Sequence, residues 1–565
     1  MKLRWLAVWI CLLAALALLG LGLLVPAHLR AIDIGVVRQA GVEGDGLLAR
    51  GRTLADAGNL GAAEMFVAAT RASGVAGWDR LGQQVTNATL QNPSTAFWGA
   101  DARIEGVFHS EPADNFVAFI IRPENRAAAL SWLNQGAMSP LAAPVLRELL
   151  QTRTLNSTVL FPASSSASGQ AYDAAVAECG LLLAGGHLTP GLSDAIFALA
   201  SQSNHGASSE PLEQVLLDLT SLGERLNWDQ LTAFVSAVSD PVTLNQLAGQ
   251  ARAAGDDLPL LFAAVQLSGK PAAVADYVAR FGLGGDLTAA LRYGAGGVTE
   301  LVTSGQRLHQ SDALRTVTEY NPFGSFYDFA AASSLKNPAL MFALKWLAYL
   351  GAGFLLALAV HYARPFPAPL EQPLAVRGIH FVRAFLFSLG FLLLVLLLSE
   401  PFLAREMPRE TFFLRPQLPM AGGVVTAGIA GLKQTAMNPT ILITLLLFFV
   451  LQALLYLACL VKLSEIRRQI APPRVKLKLL ENEDHLFDAG LYLGFVGTIV
   501  SLIVASLGLV KFSLMAAYSS TSFGIIFVCV FKIFHLRPAR RKLLLEAEAA
   551  DAYAAAGTQV SSLPS

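Results

Sequence analysis

Side chains able to do chemistry are sparse in this chain and poorly grouped. Nine histidines stand at positions 28, 109, 187, 205, 309, 361, 380, 485 and 535. No two are three or four residues apart, the spacing that would put two metal ligands on one helical face. The pattern implies neither a helical metal site nor a cofactor. The Gly-x-Ser-x-Gly elbow that exposes a nucleophilic serine is missing. Ser333 and Lys336 have serine–lysine spacing, but no Lys-Thr-Gly or Ser-Asp-Asn accompanies them. Gly269-Lys270 resembles the end of a phosphate loop, yet Ala264 stands where the first glycine of that loop belongs. Gly282, Gly284 and Gly285 lack the preceding strand that dinucleotide binding requires. These glycines read as turns between helices, and the chain reads as a non-enzyme. A membrane-bound enzyme assembled from residues distant in sequence is the remaining catalytic alternative.

The elements available to position any site are mostly apolar helices. Of 565 residues 54% are hydrophobic and 15% charged, against ~25% charged in an ordinary soluble domain. A helix needs ~20 apolar residues to cross a hydrocarbon core of ~30 Å. Runs of that length fall at Leu6 to Val25, Leu340 to Val360, Phe381 to Ser399, Thr440 to Val461, Phe487 to Val510 and Ser513 to Phe534. The first is longer than a signal-peptide core, and Val25-Pro26-Ala27 makes a poor cleavage site, so it reads as an anchor. Ionisable residues are nearly absent from the runs. Lys345 is expected to snorkel to the outer interface, and Asp488 to lie at the inner end of the fifth run.

Basic residues set the orientation. His361, Arg364, Arg377, His380 and Arg383 follow the second run, and Lys462, Arg467, Arg468, Arg474, Lys476 and Lys478 follow the fourth. Lys532, Arg537, Arg540, Arg541 and Lys542 close the sixth. Short loops rich in Lys and Arg stay cytoplasmic, which puts both termini inside and residues 31–336 outside. Lys plus Arg equals Asp plus Glu at 41 each, which disfavours nucleic acid as a partner. Cys179 is the single cysteine of the large polar segment, so that segment holds no disulfide framework.

The fold class that follows is all-α: a multi-pass membrane protein of six spans with a large, solenoid-like extracytoplasmic domain. Its parts are an anchor at 1–30, the helical domain at 31–336, a five-span membrane domain at 337–536 and a cytoplasmic tail at 537–565, which reads as a helix leaving the membrane. Stretches such as PLEQVLLDLTSLGERL and AAVADYVARF carry apolar residues at helical spacing between Gly, Pro, Asp and Asn. Asn115 to Ile121 is the best candidate strand, and residues 161–170, FPASSSASGQ, the best linker within the domain.

The most specific internal pattern lies in the last two spans. Gly490, Gly494, Gly497, Ser501, Ala505 and Gly508 line one face of the fifth, and Ala517, Ser520, Thr521 and Gly524 recur in the sixth. Small side chains let two helix backbones approach closely inside lipid, so these residues predict a packed antiparallel hairpin and a possible surface for oligomer formation. GFVGT, with Gly494, Gly497 and Thr498, followed by YSSTSFG, with Ser520, Thr521 and Gly524, resembles the paired helices of the flagellar-stator and Tol/Exb proton-channel family. That resemblance covers about 45 residues. It implies that Thr498 and Thr521 face an ion path. Ala516 stands where some members of the family carry Glu, and the turn between the helices is shorter than theirs.

The leading expectation is a bacterial-type inner-membrane protein whose periplasmic helical domain binds or organises protein partners in the envelope, with the bilayer itself as a further partner. The alternative is a subunit of a proton-channel or energy-transducing complex built on the last two spans.

Overall fold

The computed structural model describes residues 2–136, 143–154, 158–161, 169–320, 322–363, 379–401, 439–506 and 514–560. It is mostly helical, at 81%. Two compact units divide the chain: Pro26–Pro338, and Met1–Val25 together with Ala339–Ser565.

In the unit Pro26–Pro338 the helix boundaries follow the local chemistry of the sequence. Pro190, Pro241 and Pro271 open helices at the position where a missing N–H costs nothing. Asp240 caps the helix Pro241–Ala254 by accepting from Thr243 N at 2.8 Å, and Asn227 and Gln230 form a reciprocal capping box. Gly269 ends the helix Leu258–Ser268 at φ +60°, a left-handed conformation that glycine adopts without strain. It is an interhelical turn, as its surroundings in the sequence suggest. Gly169–Gly185 packs on Glu210–Gly223, which packs on Pro241–Ala254, then on Pro271–Phe281, then on Gly294–Ser304. Each helix thus buries a face on the next but one in sequence. Phe116, Phe119, Phe234, Phe262 and Trp228 are wholly buried in the shared core.

The stretch expected as a strand, Asn115 to Ile121, is helical. Asn115 is an N-cap, accepting from Ala118 N at 2.8 Å, and Phe116–Ile120 form a short helix. Phe116, Phe119 and Ile120 are its buried residues, a three-and-four spacing that outweighs the β-propensity of the run. Among the described residues one small sheet pairs β1 (Ala31–Asp33) in parallel with β2 (Arg307–His309), Ile32 opposite Leu308. It ties the start of this unit to a segment near its end. Residues 162–168 of the expected linker lie outside the described residues.

The second unit contains α1 (Lys2–Leu24), α2 (Pro338–Ala363), α3 (Ile379–Ser399), α4 (Pro439–Arg468), α5 (Pro473–Asn482), α6 (Ala489–Ser506), α7 (Leu514–Phe531) and α8 (Arg537–Val560). A single π-helical stretch, Lys532–Leu536, joins α7 to α8. Among the described residues three helical stretches are long and apolar enough to cross a membrane: Arg4–Leu24, Pro338–Ala363 and Ser520–Ala550. Shorter apolar stretches, Phe387–Leu396 and Ala489–Ile499, lie in α3 and α6. Tyr349 of α2 packs so closely on α1 that a Cβ at Gly22 would lie 2.5 Å from its ring. Lys345 does not snorkel. It is 1% exposed and pairs with Glu400, just beyond α3, at 3.7 Å, because the neighbouring helix end brings a carboxylate within reach of the ammonium.

Candidate functional site: a hydroxyl cluster in the α6–α7 hairpin

Glycine determines how closely α6 and α7 meet. A Cβ at Gly494 would lie 2.8 Å from Ser520 O and 3.1 Å from Thr521 Cα. One at Gly524 would lie 2.6 Å from Gly490 O, and one at Gly497 would lie 2.9 Å from Ser520 Oγ. A larger residue at Gly494 or Gly524 forces the two backbones apart, and one at Gly497 displaces the Ser520 hydroxyl. Ser501 and Ala505 belong to α6 and Ala517 to α7, while Gly508 and the side chains of those three lie outside the described residues.

This approach brings Thr498 and Thr521 together. Their Oγ1 atoms are 2.5 Å apart. Both also reach the carbonyl oxygen of Gly494, Thr498 Oγ1 at 3.0 Å and Thr521 Oγ1 at 3.2 Å, and Ser520 Oγ approaches the same oxygen at 3.4 Å. Each threonine hydroxyl has one proton to give. Between the two hydroxyls and Gly494 O, two arrangements are therefore equivalent in kind. In one, Thr498 donates to Gly494 O and Thr521 donates to Thr498; in the other, Thr521 donates to Gly494 O and Thr498 donates to Thr521. Rotation of two hydroxyls converts one into the other.

A third helix closes the cluster on one side. Gln452 of α4, 1% exposed, donates through Nε2 to Gly490 O at 3.0 Å, one helical turn along α6 from Gly494. A further turn along α4, Tyr456 Oη lies 2.8 Å from His535 Nε2, on the π-helical stretch that follows α7. Charged groups gather at this end and pair with one another: Lys532 with Asp488 at 2.7 Å, Lys462 with Glu465 at 3.2 Å and Glu483 at 3.5 Å, and Arg540 with Glu481 at 3.1 Å. Asp488 thus stands in an ion pair at the end of α6. Gln452, Tyr456 and His535 were not singled out from sequence. Gln452 carried a signal, since it is the only amide in the apolar run Thr440 to Val461. The register of α4 on the hairpin carried none.

The unit Pro26–Pro338 contains a second polar cluster. His187 Nε2 lies 2.7 Å from Asp101 Oδ2, which also accepts from Trp228 Nε1 at 3.1 Å, while Asp101 Oδ1 caps Ile104 N at 3.2 Å. Burial acts to raise the Asp101 pKa, but the hydrogen bonds from His187 and Trp228 outweigh it and hold the carboxyl below its usual range. Beside it, Asp229 accepts from Ala62 N at 2.8 Å, and burial pushes it up to about 7. The Asp101 and Asp229 carboxylates are occupied in joining helix ends, which makes this a structural knot. Among the described residues no group of three or more His, Cys, Asp or Glu could hold a metal ion. Ser333 and Ser334 share the helix Phe323–Lys336, where Lys336 is its last residue.

Comparison of the chain with protein-family models, with characterised proteins and with solved structures found no match.

Proposed function

We propose that this protein is a multi-pass membrane protein whose α4–α6–α7 bundle conducts protons as part of an energy-transducing complex. Six spans, Leu6–Val25, Leu340–Val360, Phe381–Ser399, Thr440–Val461, Phe487–Val510 and Ser513–Phe534, carry both termini on the cytoplasmic side of a bacterial-type inner membrane. The helical domain at 31–336 then stands outside, where it organises the envelope partner that the bundle serves. The observation that carries this reading is the Thr498–Thr521 hydroxyl pair on Gly494 O, at 2.5 Å, with its two interchangeable hydrogen-bond orientations. A proton relay needs that reversal after each transfer, and a hydroxyl provides it without ionising. The resemblance of GFVGT and YSSTSFG to the stator and Tol/Exb helices points to the same two residues.

The test is proton flux in proteoliposomes under an imposed pH gradient. Thr498→Val and Thr521→Val keep the branched shape and remove the hydroxyl, so each is expected to abolish the flux while Thr→Ser at either position keeps it. Flux in the valine variants equal to that of the parent protein removes the reading.

The alternative is that the domain at 31–336 is the working part and the spans only hold it. Its support is the helix-on-helix stacking from Gly169–Gly185 to Gly294–Ser304, an arrangement that presents extended surfaces to other proteins. Capture of envelope proteins after crosslinking, retained in the Thr498→Val variant, would favour it.

A further inference from the structure

Among the described residues of Pro26–Pro338, the three most exposed aromatic side chains fall together between positions 320 and 329: Phe329 is 68% exposed, Tyr320 67% and Phe323 47%. Val317, three residues before Tyr320, is exposed too. The segment that carries them closes this unit with the helices Asp312–Thr318 and Phe323–Lys336. Only Asn337 separates it from α2, Pro338–Ala363, which is long and apolar enough to cross a membrane. The buried side of Phe323–Lys336, with Tyr327, Ala330, Ala331 and Ser334, packs on the helix Ile34–Ala40 near the start of the unit. Gly35 makes room for this contact, since a Cβ there would collide with Tyr327 Oη. Asp33 fixes it: Oδ1 accepts from Gly35 N at 2.8 Å and from the Tyr327 hydroxyl, and His28 Nε2 lies 3.4 Å from Oδ2. Phe329, ~200° round the helix from Tyr327, is thereby held on the outer side.

We propose that this segment is an interfacial foot, which lies along the bilayer with Tyr320, Phe323 and Phe329 at the boundary of headgroups and acyl chains. The covalent chain brings it there at two points. Lys336 is two residues before Pro338, so at most ~8 Å of chain separates it from the start of α2. Tyr327 shares the Asp33 carboxylate with His28, which is three residues, or at most ~11 Å of chain, beyond Val25 at the end of the first apolar run. The unit follows one span and leads into the next, so both points belong to one face of the bilayer. Tyr327 and Lys336 are ~14 Å apart along their helix. A helix tethered at both places runs along that face rather than away from it. Aromatic rings suit this depth, because the ring is apolar and the tyrosine hydroxyl still reaches water. The charges nearby are mixed: Arg315, Glu319 and Lys336 are exposed, and Asp328 pairs with Arg38. Attraction therefore comes from burying the rings, and an anionic lipid is not required. Such a foot stops the domain from swinging about Asn337 and Pro26. It goes beyond the proton-conduction reading and needs only that the flanking helices cross the bilayer, in either direction.

Nitroxide depth measurements test it on the full chain. In a variant lacking the four cysteines, Tyr320→Cys, Phe323→Cys and Phe329→Cys are made one at a time, spin-labelled and reconstituted in phosphatidylcholine vesicles with nickel chelate on both sides. Each change replaces an exposed side chain and leaves the other two aromatics in place, so the three positions check one another if one variant folds poorly. Asp256→Cys, exposed elsewhere in the unit, is the reference for water, and Leu347→Cys, exposed on α2, the reference for lipid. Collisions with the nickel chelate are expected to be several-fold rarer at 320, 323 and 329 than at 256, and collisions with oxygen to fall between those at 256 and 347. Adding phosphatidylglycerol is expected to leave both unchanged. Nickel collisions at the three positions as frequent as at 256 overturn the foot, as does dependence on phosphatidylglycerol. Immobilised labels shielded from both reagents, with spin–spin broadening, overturn it in favour of a second copy of the chain on this face. A label at 347 as open to nickel as the one at 256 removes the span and the foot together.

Discussion

Thr498 and Thr521 differ from an ordinary pair of helix-facing hydroxyls in what they share. A threonine in an apolar helix usually returns its proton to the carbonyl four residues back, which satisfies it and ends the matter. Here Gly494 O is within reach of both, and the 2.5 Å between the oxygens means that one hydroxyl must accept from the other. A single Thr→Val change therefore leaves its partner with a good acceptor and should lower stability by only ~1 kcal/mol, while its effect on conduction is complete. Equal, large losses of melting temperature and flux would instead make the pair structural. The buried acids of the other unit make a separate, pH-dependent prediction. Glu178 on the helix Gly169–Gly185 is wholly buried, and neither carboxyl oxygen has a well-formed hydrogen bond. Burial pushes its pKa up to about 8, which the nearby Thr220 hydroxyl opposes and Glu224 reinforces. A carboxyl raised in the folded state binds its proton more tightly there than in the unfolded chain. Its contribution is thus full below the ordinary glutamate range and is lost as pH rises toward 8, at up to ~1.4 kcal/mol per pH unit. Glu178→Gln should flatten the fall in melting temperature between about pH 5 and 8 and make the protein more stable than its parent at the upper end. Melting curves in detergent across that range check it, and parallel curves for the two proteins would refute it.

At the scale of elements, the α2–α3 contact makes the sharpest energetic claim. Lys345 and Glu400 are 1% and 0% exposed at the side chain and 3.7 Å apart. Removing two ions from water costs more than a single pairing usually returns, whereas leaving one ion alone costs far more. Lys345→Met or Glu400→Met alone is expected to destabilise the membrane unit by ~3–5 kcal/mol, and Lys345→Met with Glu400→Met to recover most of that loss. Unfolding in a denaturing detergent series measures the cycle; additive losses would show that the two residues do not interact. This contact also marks where sequence reading stops. Local pattern was enough to expect mostly helix in Pro26–Pro338, because caps, N-terminal prolines and apolar spacing act within a few residues. It was enough to expect that α6 and α7 pack together, since small residues at three- and four-residue spacing create a face, whereas Thr498 and Thr521 were indicated as a pair only by the resemblance of GFVGT and YSSTSFG to the stator and Tol/Exb helices. It misassigned Lys345 and missed Gln452, because the partners that decide their roles are on helices whose register is set by three-dimensional packing. For Asn115 to Ile121 two local signals competed. Aromatic and β-branched residues favoured a strand, but the Asn115 cap and the burial of Phe116, Phe119 and Ile120 made it a helix.

For the whole molecule, orientation in the membrane is the property on which the proposed function depends, since a proton path has a direction and the helical domain must meet its partner on one side. Lys462, Arg467, Arg468, Arg474, Lys476 and Lys478 lie together in and after the end of α4, and Arg537, Arg540, Arg541 and Lys542 near the start of α8. Each basic residue close to an anionic cytoplasmic leaflet gains ~1 kcal/mol, so the set favours one orientation by several kcal/mol. Both groups stand at the Lys532–Asp488 end of the bundle, so in the proposed orientation that end faces the cytoplasm and the hydroxyl pair lies deeper in the membrane. Single cysteines test this directly in a variant lacking Cys11, Cys179, Cys459 and Cys529. Asp256, exposed on the helical domain, and Ile470, exposed between α4 and α5, are suitable sites because neither is buried in its own unit. A membrane-impermeant maleimide added to spheroplasts should modify Asp256→Cys at once and Ile470→Cys only after the membrane is opened. The reverse pattern would turn the proton path round and put the helical domain in the cytoplasm. Labelling of both without permeabilisation would break the six-span alternation between them, and with it the hairpin direction that the likeness to the stator helices requires.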